Sequence, residues 1–410
     1  MIKKLSRYLK EYKKPAILTP IFVILEVVME VLIPYLMAKI IDVGINNGDV
    51  QYIIKIGTFL ILSAMLSLAF GMLSGRFAAK ASAGFSKNLR REMFHKIQDY
   101  SFENINKFST SSLVTRMTTD VTNVQMAFQM IIRILVRGPV MMLFALLMVL
   151  SISPKLSLVY IVAIILLGIV LVYIALKAHP NFEKVFKKYD HLNRVVQENV
   201  QAIRVVKAYV REDYEKEKFG KVNNEVYSLF KKAEKIVAFN SPAMQITIYT
   251  CIVLISWIGS NLIVGGTMQT GQLSSMITYA WQILASLMML SMVFVMVIMA
   301  TSSAERILEV IEEVPKIRNK NNAIKKVKDG SIEFKHVDFV YSDEKDPNKF
   351  ALKDINIKIN SGETIGIIGG TGSSKSTFVQ LIPRLYDTTH GEVLVGGKNV
   401  KDYDIKSLRD

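Results

Sequence analysis

The residues best equipped for chemistry stand between Gly369 and Thr377 and read GGTGSSKST. Three glycines and a run of hydroxyls lead to a single lysine. Backbone N–H groups in such a loop can close around phosphate oxygens, the lysine can reach outer phosphates, and the next hydroxyl can ligate Mg²⁺. That chemistry assigns Gly369, Gly370, Thr371, Gly372, Ser373, Ser374, Lys375, Ser376 and Thr377 to phosphate binding, with Ser376 on the metal. The spacing G-x-x-x-x-G-K-[ST] holds except at its second glycine, where Ser374 stands. Serine at a helix start has allowed dihedrals but brings extra atoms, so it is expected to weaken phosphate binding without abolishing it. A glycine turn in some other α/β sheet is the competing reading of the loop alone.

A loop of this kind needs a strand before it and a helix after it. Ile365 to Ile368 is an apolar run with the character of a buried strand, and a helix is expected from Phe378. Upstream, IEFKHVDFVY alternates apolar and polar residues, DEKDPN reads as a turn, ALKDINIKI alternates again, and Asn360-Ser361-Gly362 turns toward the loop. Residues 331–410 therefore read as a soluble α/β region. Residues 315–330, rich in lysine and asparagine, read as a linker.

What precedes the linker is different in kind. Over 410 residues the chain is 51% hydrophobic, and its mean hydropathy of +0.31 is too high for a soluble protein of that size. Six stretches, near 15–41, 52–75, 130–152, 156–176, 236–264 and 271–300, are long and apolar enough to span a bilayer, which takes about 20 helical residues. The first follows a basic start, MIKKLSRYLKEYKKP, but is too long for a signal core and has no small-residue cleavage site, so it reads as a retained span after a basic surface helix. Arg133 and Arg137 at the start of the third are expected below the membrane on a helix that extends into water.

The charge explains itself by position. Lys and Arg number ten in 76–137 and fourteen in 177–235, against none in 42–51 or 265–270, so the two long connections and the N-terminus are assigned to the cytoplasm of a multi-pass plasma-membrane protein. The net charge of +16 is then largely topological, and nucleic acid loses its support as a partner. In 177–235 apolar residues recur at three-and-four spacing, which predicts two helical arms reaching roughly 40 Å from the membrane at about 1.5 Å per residue. Segment 76–137 can do the same, with its turn at 108–112. Glu26 and Glu30, four apart on the first span, either face a wet cavity suited to cationic substrates or meet another helix as protonated acids. Arg116 and Asp120 read as a local helix pair. Met276, Met288, Met289, Met292, Met296 and Met299 on the sixth span suit packing or adaptable binding. The histidines show no metal-ligand spacing, and the one cysteine, Cys251, reads as a buried thiol.

With these pieces in place, the sequence resembles an ATP-binding cassette exporter half-transporter of the bacterial multidrug or lipid type. STSSLVTRMTTDV at 109–121 and ENVQAIRVVKAYVRE at 198–212 resemble the family's two cytoplasmic coupling segments. SAERILEVI at 303–311 is similar to its exit from the sixth helix, and LIPRLYDTTHGEVLVGG at 381–397 to the segment after the phosphate loop. The resemblance implies a type 1 exporter fold: an α-helical membrane domain over 1–314, then the N-terminal part of an α/β P-loop nucleotide-binding domain. It implies ATP and Mg²⁺ as cofactors, Tyr341 against adenine, and coupling through Ser111, Ser112, Leu113, Arg116 and Asp120 and through Ala202, Ile203 and Arg204. It also implies a second half-transporter as partner, identical or different. The family's glutamine loop, LSGGQ signature, catalytic acids and switch histidine are not found up to Asp410, so the chain is expected to be truncated inside the nucleotide domain and inactive alone as an ATPase. A non-hydrolysing membrane protein that dimerises through its helices, and an exporter of lipid or peptide instead of drugs, remain the alternatives.

Overall fold

The computed structural model describes residues 2–341 and 350–410. The turn expected at 343–348 lies outside the described residues, as do the side chains of His179 and Met299. Two compact units divide the chain, one made of residues 9–85 and 125–301, the other of 1–8, 86–124 and 302–410.

In the first unit the apolar runs become long helices: α2 (Lys13–Lys39), the first part of α3 (Val50–Gln98), most of α6 (Val121–Ile152), α7 (Pro154–Gln201), α10 (Asn240–Val264) and most of α11 (Thr270–Glu312). Among the described residues six helices are long and apolar enough to cross a membrane, as expected. Local signals place their ends. Ser153 accepts from the Leu156 N–H at the start of α7 and Pro154 takes the first helical position, where its missing N–H costs nothing. Gly266, at φ +69, turns the chain between α10 and α11.

A core of Val31, Ala145, Leu167, Ile255, Met276 and Ile283 holds these helices together. Their other faces expose apolar residues such as Ile61, Leu68 and Ile169, as a lipid-facing surface requires. The buried tyrosines find acceptors within the core: Tyr160 donates to the Met276 carbonyl at 2.7 Å and Tyr279 to that of Val31 at 2.9 Å. A π-helical turn at Ile40–Ile45 ends the first span, and Asp42 there accepts from the Gly271 and Gln272 N–H groups at 2.6 and 3.0 Å, capping α11 from another helix. The second long connection forms the two arms expected, α7 running out and α9 (Glu212–Ala238) back, joined by α8 (Ile203–Ala208). Val185, Val195, Val222 and Val226 are buried between the arms, while Val200, Tyr209 and Val210 are exposed at the tip.

The second unit holds a four-stranded antiparallel sheet in the order β2-β1-β3-β4: β1 (Ile332–Phe339), β2 (Leu352–Ile359), β3 (His390–Val395) and β4 (Lys398–Asn399). The strands expected from alternation are β1 and β2, and Phe334 stacks on Phe378 of α12 (Lys375–Leu381) at 4.2 Å between ring centres. The C-terminal turn is α13 (Ile405–Arg409). Four expectations need correction. The run Ile365–Ile368 is not a strand: no described strand lies alongside to pair with it, and Ile368 is 98% exposed. The helix after the loop begins at Lys375 instead of Phe378. The N-terminal surface helix is broken, with α1 (Ile2–Leu5) followed by a 3₁₀ stretch at Ser6–Tyr12 in which Lys10 has φ +38. The first connection turns in two places, after α3 ends at Gln98 and at Ser109 (φ +56), which separates α4 (Phe102–Phe108) from α5 (Thr110–Thr115).

Candidate functional site

The loop 369–373 is exposed and closes on itself. The Ser373 N–H donates to the Gly370 carbonyl at 3.3 Å, and Gly372 has φ +86. Lys375 folds back over this turn, its Nζ donating to Gly369 O at 2.7 Å, Gly370 O at 2.8 Å and Ser373 Oγ at 3.1 Å. The ammonium is thus held by the loop's own oxygens. Ser374 caps α12 with φ +59 and ψ +21, in the left-handed region. This corrects the expectation of allowed dihedrals. The cost of serine at the motif's glycine position is carried by the backbone, about 1–2 kcal/mol for a residue with a Cβ. The Ser376 hydroxyl is exposed and makes no hydrogen bond among the described residues, so it is open to a metal ligand's role. Among the described residues no three acidic, histidine or cysteine groups gather into a metal site.

Thr377 is placed differently from its neighbours. It is buried, and its hydroxyl lies 2.6 Å from that of Tyr341. Tyr341, two residues past the end of β1, is 47% exposed and stands edge-on to Phe339 at 4.8 Å and to Tyr386 at 5.3 Å. Tyr386 in turn stacks on Phe102 of α4 at 6.0 Å, and its hydroxyl accepts from Asn106 at 3.4 Å. A row of aromatic rings therefore joins the first long connection to the helix that follows the phosphate loop. Burial and the nearby Glu313 push the Tyr100 hydroxyl up to about 12, so it remains a donor to the Val310 carbonyl.

The residues expected to couple divide between two places. Leu113 is buried. Ser112 donates its N–H to the Ser109 cap, and Ser111 Oγ lies 3.4 Å from Ser109 Oγ. Arg116 and Asp120 are not a local pair: a π turn at Arg116–Asp120 intervenes, and each side chain finds α11 instead. Arg116 reaches Glu309 at 2.8 Å and the Arg306 carbonyl at 2.7 Å, while buried Asp120 takes Arg306 in a forked contact at 2.8 and 2.5 Å and Ser303 at 2.9 Å. Asn104 adds bonds to Glu313 at 2.9 Å and to the Val314 carbonyl at 3.1 Å. So 109–121 grips the exit helix, and the ring contact with the cassette region comes earlier, from Phe102. Ala202, Ile203 and Arg204 lie in the other unit, at the α7–α8 junction on the exposed tip.

Glu26 and Glu30 meet another helix, but they do so as partners of a base. Both carboxylates pair with Arg137, Glu30 at 2.6 Å, and Glu26 also accepts from Ser74 at 3.3 Å. Arg137 is therefore an interhelical partner inside the bundle and not a residue held in water below it.

The family described as the ABC transporter transmembrane region matches residues 16–288. This chain belongs to the ABC transporter family. A second match, to the family described as ABC transporter, covers residues 352–410. The uncharacterized ABC transporter ATP-binding protein YfiB of Bacillus subtilis (strain 168) is 35% identical over 408 residues, covering 100% of this chain and 70% of that protein. An uncharacterized ABC transporter ATP-binding protein of Mycobacterium tuberculosis (strain ATCC 25618 / H37Rv) is 30% identical, over 98% of this chain and 69% of its own length. An ATP-dependent lipid A-core flippase of Hahella chejuensis is 29% identical over 82% of this chain and 57% of its own. Sequence alone named Lys375 and Tyr341 as candidates and did not single out Phe102, Asn104, Tyr386 or Arg306. Their partners lie far away in sequence, and only Tyr386, an aromatic shortly after the phosphate-loop helix, carried any local hint.

Proposed function

We propose that the chain is one half of an ATP-driven exporter that binds ATP at 369–377 and passes an amphipathic, drug-like or lipid-like cargo through its helices. The observation that carries this reading is the run of contacts from Phe102 through Tyr386 and Tyr341 to the Thr377 hydroxyl. Lys375 would exchange its bonds to Gly369, Gly370 and Ser373 for phosphate oxygens. Thr377, two residues on, would pass the shift to Tyr341 and Tyr386, and these to α4. Arg116 and Asp120 hold the π turn after α5 to α11, the helix that contains the sixth span. Ser376 would take Mg²⁺, which screens phosphate charge when bound. Tyr341 offers a half-exposed ring for adenine.

A second half-transporter would complete the pair, with Ala202, Ile203 and Arg204 engaging a nucleotide domain. The basic connections support a cytoplasmic N-terminus and cassette at the plasma membrane. Relatives named as lipid A-core flippases support a lipid-like cargo. The test is equilibrium binding of a fluorescent ATP analogue to the purified chain, with and without Mg²⁺. Saturable binding that weakens at least tenfold in Lys375→Ala is expected, and equal binding by that variant refutes the reading.

A further inference from the structure

The carboxylates of Glu26 and Glu30 stand one helical turn apart on α2 and share one guanidinium, that of Arg137 on α6. Charged groups in a membrane span are costly and are retained where they meet a partner or a substrate path. Among the described residues one cation serves both acids. A second guanidinium, Arg133, lies one turn before Arg137, but it rests over Gly75, about where a Cβ would come within 3.7 Å, and makes no ion pair among the described residues. The carboxylate pair is thus locally undercompensated. It is also reachable, since the side chains of Glu30 and Arg137 keep 31% and 27% of their surface exposed.

Two further observations give the pair a chemical character. One turn before Glu26, Phe22 stacks on Phe77 at 5.5 Å and lies 6.1 Å from Phe70, while Gly71 of α3 passes so close that a Cβ would sit 3.3 Å from the Glu26 carboxylate. Aromatic rings thus flank the acids on the same face of α2. Across the bundle, α11 runs antiparallel to α2, with Gly271 at Asp42 and Tyr279 at Val31. That register brings position 282 level with the turn between Glu26 and Glu30. The Gln282 side-chain oxygen is buried and accepts no hydrogen bond among the described residues. Carboxylates, an unused carbonyl and aromatic rings together suit a bulky organic cation, whose charge is diffuse and weakly hydrated.

We infer that Glu26 and Glu30 form a binding site for an amphipathic organic cation, with Arg137 as a tethered cation that occupies the site until cargo displaces it. The inference rests on the exporter reading above and names the charge of its cargo. A tethered guanidinium competes at high effective concentration, so its removal strengthens cation binding, whereas a purely structural clamp would lose order on the same change.

The test is binding of tetraphenylphosphonium to the purified chain in lipid nanodiscs without nucleotide, beside tetraphenylborate, an anion of similar size and shape. Arg137→Met is expected to tighten phosphonium binding at least tenfold. Glu30→Gln, which keeps the Glu26–Arg137 pair, is expected to weaken it at least tenfold, with borate changing in neither case. Glu30→Gln with an unaltered gel-filtration profile decides the matter if Arg137→Met aggregates. Equal phosphonium binding by wild type and Glu30→Gln, or stronger binding of borate than of phosphonium, overturns the site. Fluorescent ATP analogue binding in the same samples separates the two readings: its presence with no cation selectivity sinks this site alone, and its absence sinks the exporter reading.

Discussion

Ser374→Gly isolates the departure of the phosphate loop from its motif. Ser374 holds φ +59 and ψ +21, where a Cβ costs about 1–2 kcal/mol and glycine costs nothing. Against this, glycine adds backbone freedom that must be lost when the loop closes on phosphates, about 0.5–1 kcal/mol. The difference is about 1 kcal/mol in favour of the glycine loop, or roughly fivefold in affinity. Ser374→Ala keeps the Cβ and hence the strain, and removes only the hydroxyl. Titration with a fluorescent ATP analogue should therefore give an affinity about fivefold tighter for Ser374→Gly, while Ser374→Ala stays within about twofold of wild type. If both variants tighten alike, the hydroxyl and not the backbone was the obstacle. If neither tightens, the left-handed serine does not limit binding, and Ser374 drops out as a source of asymmetry between two nucleotide sites.

The other predictions concern the route from the loop to the helices. Tyr386→Ala removes ring contacts with Phe102, Phe339 and Tyr341, each worth about 0.5–1.5 kcal/mol. Hydrogen exchange should show that nucleotide no longer protects 102–108, while Tyr386→Phe, which keeps the rings, behaves as wild type. Asp120→Asn leaves Arg306 without its forked partner; because Arg306 is 45% exposed and can rehydrate, the cost is about 1–3 kcal/mol. It should appear as faster proteolysis of 110–124 in limited digestion, and unchanged digestion contradicts the role given to that contact. Tyr341→Phe removes the hydroxyl from Thr377 but keeps the ring. Analogue affinity should then hold within about threefold, under 1 kcal/mol, whereas Tyr341→Ala weakens it more.

Periodicity and composition made the membrane unit legible. Spans, arms and polar turns follow from 3.6-residue spacing and from the length a bilayer demands, and both signals are local. The hairpin of β1 and β2 was equally plain, since alternation and turn residues lie within one short stretch. The run Ile365–Ile368 shows the limit of that reading: its residues favour a strand, but a strand forms only against a partner, and no described strand flanks it. The Arg116 and Asp120 spacing misled for a related reason. Four residues apart predicts contact on an α-helix, but a π turn shifts the faces, and better-placed partners on α11, some 190 positions away, take both side chains. Arg137 was misplaced because a charged residue in an apolar run reads as a water-facing end, unless the carboxylates that receive it, more than a hundred positions earlier, are seen beside it.

On the proposed function, the loop at 369–377 takes nucleotide phosphates and the aromatic row carries the event to the first connection. Hydrogen exchange on the purified chain, with and without Mg-nucleotide, measures both at once. Protection is expected at 369–381 and, through Tyr341 and Tyr386, at 102–108, with both lost in Lys375→Ala. Nucleotide protection of neither segment, or protection that survives Lys375→Ala, would contradict the account.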